Sequence, residues 1–221
     1  MELTVLINLI LWICASAGFL NGAATFFKKK QALYTQMVTI ALGCAALGRL
    51  YNIAVLVCDG SIPRTFNTGV LATIGCFMFI FSANYGQMDS LCDMEEPKNR
   101  KIRYLAFAAP IILLGSAVFI WLFSSESLIM RLTSVVQIFF IMLASYYNCK
   151  HLMIHDVEFG IIGSIRGYNL CMLLLELLYT LEIVLNTLGM DTPLSIVYLL
   201  MCIAFLAIIP VLKKGGQKWK V

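Results

Sequence analysis

The sequence predicts an all-α integral membrane protein, a single domain built as a seven-transmembrane-helix bundle, and three observations carry that prediction. Apolar residues make up 61% of the chain, charged residues 13%, and the mean hydropathy is +0.88, far from the averages of soluble domains. The apolar residues gather into long runs, each near the roughly 20 residues that a helix rising about 1.5 Å per residue needs to cross a bilayer. Lys and Arg then fall almost wholly on one side of the predicted spans. Too little polar sequence remains between the spans for a separate soluble domain.

The first span is predicted at 4–27. Ala15-Ser16-Ala17 imitates a signal-peptidase site, but the basic cluster Lys28-Lys29-Lys30 follows the apolar run instead of preceding it. That order is wrong for a cleaved signal, so the segment is read as a helix with its N-terminus outside. Ala15, Gly18, Asn21 and Gly22 recur at helical spacing and mark a close-packing face. The second span, 32–58, carries the stripe Ala41, Cys44, Ala45 and Gly48, whose small side chains let membrane helices approach closely. Asn52 continues that stripe, and Arg49 belongs with it. Asp59-Gly60-Ser61-Ile62-Pro63 reads as a tight turn.

The third span, 65–88, places Ala72, Gly75, Cys76 and Phe79 on one face and Asn84, Tyr85, Gln87 and Asp89 at its far end. Residues 93–103 form the most charged stretch, an ordinary solvated loop with no nucleic-acid role. The fourth span, 104–123, is nearly featureless apart from Pro110, which is expected to kink its first turns. Ser124 to Ser127 supply N-cap residues for the fifth span, 128–153. A polar link, 154–167, leads to the sixth span, 169–189. The seventh, 194–212, ends in a short basic tail.

Orientation follows from the cations. Lys28, Lys29, Lys30, Lys98, Arg100, Lys101, Arg103, Lys150, Arg166, Lys213, Lys214, Lys218 and Lys220 share one side, against Arg64 and Arg131 on the other. The positive-inside rule then puts the N-terminus outside and the C-terminus in the cytoplasm. Trp12 and Trp121 fit the outer interface and Trp219 the inner one. The eight cysteines are scattered with no CxxC, so they are expected to pack as small apolar residues. The absence of an N-x-S/T sequon sits easily with a bacterial inner (plasma) membrane.

Seven spans accommodate a parallel repeat of three plus a linker plus three. Leu50-Tyr51 lines up with Leu178-Tyr179, and Ser61-Ile62-Pro63 with Asp191-Thr192-Pro193, although the offset drifts between the two matches. The layout resembles that of SWEET-type sugar transporters and of the KDEL receptor, while the Pro-Gln motif of that family is absent from this chain. The likeness is one of plan and implies no site residues.

Function is sought where charge enters the apolar spans, because ionisable groups there are costly and face a packed interior or a wet cavity. Arg49 in the second span and Glu182 in the sixth lie at similar depth from the same side. They are expected to pair and line an interior site between spans two and six, one that opens outward if those spans are adjacent, with Asn52, Tyr51 and Tyr179 as hydrogen-bonding neighbours. The competing expectation is an ion pair that only fixes helix packing. Glu176, nearer the midplane, is a candidate for proton coupling. It lies six residues before Glu182, about 120° around the helix, so a carboxylate dyad sharing one proton is not expected. His151 and His155 share a face at the end of the fifth span and are expected to be solvated rather than to bind metal, for want of further ligands.

Exclusions narrow the class. The seventh span carries no lysine, which removes a retinal Schiff base of the opsin kind. There is no HExxH, GxSxG or TVGYG, so neither an enzyme nor a cofactor is expected. The reading is a small-solute transporter that recognises a polar or charged group. The alternative is a seven-helix sensor or receptor whose tail is too short for an output domain and which signals through a cytoplasmic or membrane partner protein.

Overall fold

A computed structural model of the chain describes residues 2–27, 32–63, 65–88, 100–154 and 161–216. They form α1 (Glu2–Phe26), α2 (Leu33–Asp59), α3 (Thr68–Ala83), α4 (Arg100–Ala106), α5 (Ala108–Phe123), α6 (Leu128–Met153), α7 (Ile161–Leu188) and α8 (Asp191–Gly216), and a π-helical turn, Asn84–Met88, prolongs α3. Among the described residues seven segments are long and apolar enough to cross a bilayer, namely Thr4–Phe26, Leu33–Asp59, Thr68–Gly86, Arg100–Phe123, Leu128–Met153, Ile165–Leu188 and Asp191–Gly215. The chain is a polytopic membrane protein.

Most boundaries lie within a few residues of the predicted ones, and the departures have local causes. The fourth span is α4 and α5 joined at Phe107, whose N–H bonds to the Tyr104 carbonyl at 3.2 Å. Pro110 has no N–H to offer Ala106 four residues back, so the helix is interrupted there. α7 begins well before Asn169, because Arg166 and Gly167 continue the helix without adding hydropathy. α8 likewise runs through Lys213 and Lys214. Pro210 sits inside α8, a feature given no role in the sequence reading. Gly60 and Gly189 end α2 and α7 with φ of 75° and 67°, a backbone that glycine adopts without a Cβ penalty. Ser127 caps α6 by accepting from the Met130 N–H.

Six helices close into a ring in the order α1, α2, α3, α6, α7, α8, and α5 packs outside it against α6 and α7. Along this ring α2 lies between α1 and α3, and α7 between α6 and α8. Helices in lipid gain little hydrophobic free energy from meeting one another, so close van der Waals packing at small residues holds the ring. A Cβ on Gly48 would lie 2.9 Å from the Ala72 Cβ, and one on Gly75 would lie 3.5 Å from the Cys44 sulfur. The small-residue stripe of the second span is thus the α2–α3 contact. Gly18 of α1 backs directly onto α8. Outer faces carry Leu20, Val57, Ile112, Leu122 and Ile203, all exposed, as a lipid-facing surface requires.

The α1–α8 contact gives a first prediction. A Cβ at Gly18 would stand 2.8 Å from the Phe205 carbonyl oxygen, a backbone atom that cannot swing aside. Gly18→Ala is therefore expected to lower stability by about 1–3 kcal/mol, read as an earlier transition in detergent unfolding. An unchanged transition would mean that α1 and α8 separate freely.

Candidate functional site

Two buried polar constellations occupy the inside of the ring, both centred on α7. The first joins α7 to α2. Arg49 is 3% and Glu182 8% exposed, and the guanidinium grips the carboxylate with both forks, Nη1 to Oε1 and Nη2 to Oε2 each at 2.5 Å. Such bidentate geometry is the strongest way to hold a carboxylate. The guanidinium also lies over two rings, 5.1 Å from the Tyr179 centroid and 5.5 Å from that of Tyr198. The Met201 sulfur lies 4.0 Å from Nη2. The helices themselves are not neighbours, since α2 and α7 face each other across the ring and only their side chains meet. The adjacency of spans two and six on which an outward opening was conditioned is thus not met, and the pair forms because both charged side chains are long enough to bridge the gap.

This pair lies in the wall of a cavity of about 190 Å³ at the end of the bundle where α2 and α7 finish and α3, α6 and α8 begin. Asn52, Asn67, Thr73, Thr133, Ser134, Gln137, Tyr179, Asn186, Thr187 and Tyr198 supply further polar wall, and Ala45, Ile62, Pro63, Val70, Met130 and Ile183 the apolar part. Asn52 and Tyr179 thus join Arg49 and Glu182 there. Tyr51 does not. It lies beside Gly69, where an added Cβ would come within 3.4 Å of its ring. Helix geometry explains the split, because Asn52 is three residues from Arg49 and shares its face, whereas Tyr51 is two residues away and points about 200° around.

The contribution of α6 was missed in the sequence. Thr133, Ser134 and Gln137 form a polar patch at helical spacing and were its available signal. The mouth is shaped by the loop before α3, where Asn67 accepts from the Val70 N–H at 3.1 Å and donates to the carbonyls of Pro63 and Thr65 at 2.8 and 3.0 Å. Asn67→Ala removes a cap and two loop ties together. It is expected to cost about 1–2 kcal/mol, visible in the same unfolding assay, and a neutral result would show the loop to be held elsewhere.

The second constellation lies deeper and links three helices. Asn84 Nδ2 donates to Asn148 Oδ1 at 3.0 Å, and Asn148 Nδ2 donates to Glu176 Oε1 at 2.7 Å. All three residues are at most 1% exposed. Asn84 stands where α3 passes into its π turn, and turns of this kind gather at functional sites. Glu176 and Glu182 have separate partners, in keeping with their angular separation on α7. Between them on α7, Tyr179 meets Phe77 edge-on at 5.2 Å and Phe205 at 6.3 Å, and all three rings are buried. Beyond Glu176, toward the far end, Tyr34 and Tyr168 pack edge-on at 5.5 Å.

Some polar atoms in this deeper half are unsatisfied. Glu176 Oε2, Asn84 Oδ1 and both side-chain amide atoms of Asn169 are buried without a hydrogen-bond partner among the described residues. His151 is 1% exposed with the Tyr147 ring at 6.2 Å, so the expectation of a solvated His151 was wrong. The end of α6 is packed against its neighbours there and does not face water. His155 lies outside the described residues, as do Lys28, Lys29, Lys30, Arg64, Asp89, Cys92, Lys98 and Trp219. Among the described residues no group of three or more His, Cys, Asp or Glu could hold a metal ion, and the described cysteines are free thiols.

A polar-walled cavity thus lies at one end of the ring, and a second buried carboxyl, Glu176, lies deeper, with the rings of Phe77, Tyr179 and Phe205 between it and Glu182. No protein-family model matches the chain, and neither a curated protein nor a solved structure is significantly similar to it.

Proposed function

We propose that this protein is a small-solute transporter of a plasma membrane, a bacterial inner membrane by preference, working by alternating access with its N-terminus outside and its C-terminus in the cytoplasm. The solute enters the cavity between α2, α3, α6, α7 and α8 and is recognised by Arg49 and Glu182, with Asn52 and Tyr179 beside them. Glu176 couples protons from the deeper constellation.

One observation carries this reading over that of a rigid structural ion pair. Unsatisfied polar atoms are costly inside a membrane, yet Glu176 Oε2, Asn84 Oδ1 and Asn169 remain so in the deeper half of the ring. A second conformation that opens this half to water would satisfy them while the cavity on the other side closes. The shared neighbour order of α1–α2–α3 and α6–α7–α8 supports the same idea, because two like halves can rock against each other around a central site. The segregated cations support the orientation.

The test is flux into proteoliposomes of labelled amino acids, sugars, carboxylates and amines, with and without an imposed proton gradient. Saturable uptake of one class supports transport. Saturable binding of a solute with no flux under either condition contradicts it and favours a sensor that signals through a partner protein.

A further inference from the structure

The charge balance of the cavity constrains what it can hold. We infer that the solute recognised there is a small zwitterion, with a carboxylate and an ammonium group a few ångströms apart as in an α-amino acid. The inference rests on the proposed role of the cavity as a solute site and names its ligand class.

Arg49 and Glu182 are the buried charges of the wall, and each is the other's partner. Both forks of the guanidinium and both oxygens of the carboxylate are engaged. A solute bearing only an anionic group reaches Arg49 by displacing Glu182, and it then leaves a carboxylate buried with no cation. A solute bearing only a cationic group strands Arg49 in the same way. Leaving one member of a buried pair uncompensated is strongly unfavourable. A zwitterion avoids that cost by inserting between them, so that one ion pair becomes two, carboxylate to Arg49 and ammonium to Glu182.

The surroundings fit this exchange. Tyr179 and Tyr198 flank the guanidinium and keep a cation–π hold on Arg49 while Glu182 turns to the ammonium. Thr133, Ser134, Gln137 and Asn186 offer hydroxyls and amides rather than charge to the rest of the solute. Glu126, the remaining described carboxylate of the wall, belongs to the loop before α6 and is only half-buried. A cavity of about 190 Å³ has room for a single amino acid. An uncharged polyol could hydrogen-bond to the wall, but it would make no use of the pair.

The experiment is calorimetric titration of the full chain in detergent with alanine, serine and glutamine, with alanine methyl ester, with N-acetylalanine and with ribitol. The expected result is saturable binding of at least one free amino acid, with the ester and the N-acetyl acid weaker by roughly a hundred-fold or more. The variant Arg49→Gln/Glu182→Gln removes both charges together, so no lone charge is left buried, and it should lose amino-acid binding while remaining folded. Binding of the N-acetyl acid, the ester or ribitol as tightly as any amino acid overturns the zwitterion and leaves a solute site of another class. Amino-acid binding that survives in the double variant overturns it as well. Silence across every probe overturns the solute site itself.

Discussion

Arg49→Gln and Glu182→Gln are each expected to destabilise the purified protein by about 3–5 kcal/mol, and the double variant by much less than their sum. Each single change leaves one full charge inside the ring with its partner gone, and it is that uncompensated charge, not the lost attraction, that dominates the cost. The side chains are 4% and 11% exposed, so solvent screening relieves little of it. Removing both charges leaves two amides that can still hydrogen-bond across the same gap. A double-mutant cycle on detergent unfolding isolates the coupling. Additive effects below about 1 kcal/mol would show that water in the cavity already solvates both groups.

Glu176→Gln is expected to act on coupling rather than on stability. The amide oxygen of the new side chain can still accept from Asn148 Nδ2, so the fold should lose no more than about 1 kcal/mol. An amide cannot take up a proton, however, and solute uptake should no longer respond to a proton gradient, while exchange of solute across the membrane continues. Asn148→Leu is the structural counterpart. It strips the partner from Asn84 Nδ2 and from Glu176 Oε1 together and should cost about 1.5–3 kcal/mol. If Glu176→Gln leaves gradient-driven uptake intact, protons are coupled elsewhere or not at all.

The fold was legible because bilayer thickness fixes helix length, and an apolar run of that length has one cheap conformation in lipid. The observed second and fifth spans, Leu33–Asp59 and Leu128–Met153, nearly coincide with the predicted ones for that reason. The ends of α7 and α8 were harder, because polar residues such as Arg166 and Lys213 can prolong a helix without adding hydropathy. Close-packing faces were also legible, since Gly18, Cys44 and Gly48 are small where neighbours press in.

Of the site, Arg49 and Glu182 stood out as rare charges at matching depth, and the structure does pair them. The Asn84–Asn148–Glu176 chain did not stand out, although each residue was conspicuous for its polarity. Linking them needs the ring order that sets α3, α6 and α7 side by side, and hydropathy carries no record of that order. Tyr51 lies outside the cavity wall while Asn52 lines it, because helical angle decides which of two successive side chains faces the cavity.

The most direct measurement is two-sided accessibility in a background free of native cysteines. Gln137→Cys reports on the cavity and Asn169→Cys on the deeper half, each probed with a membrane-impermeant thiol reagent from either face of sealed vesicles. The account predicts that Gln137→Cys is labelled from the outside and Asn169→Cys from the cytoplasmic side, with saturating solute shifting the two rates in opposite directions. Asn169→Cys that resists labelling from both faces, with and without solute, would contradict alternating access.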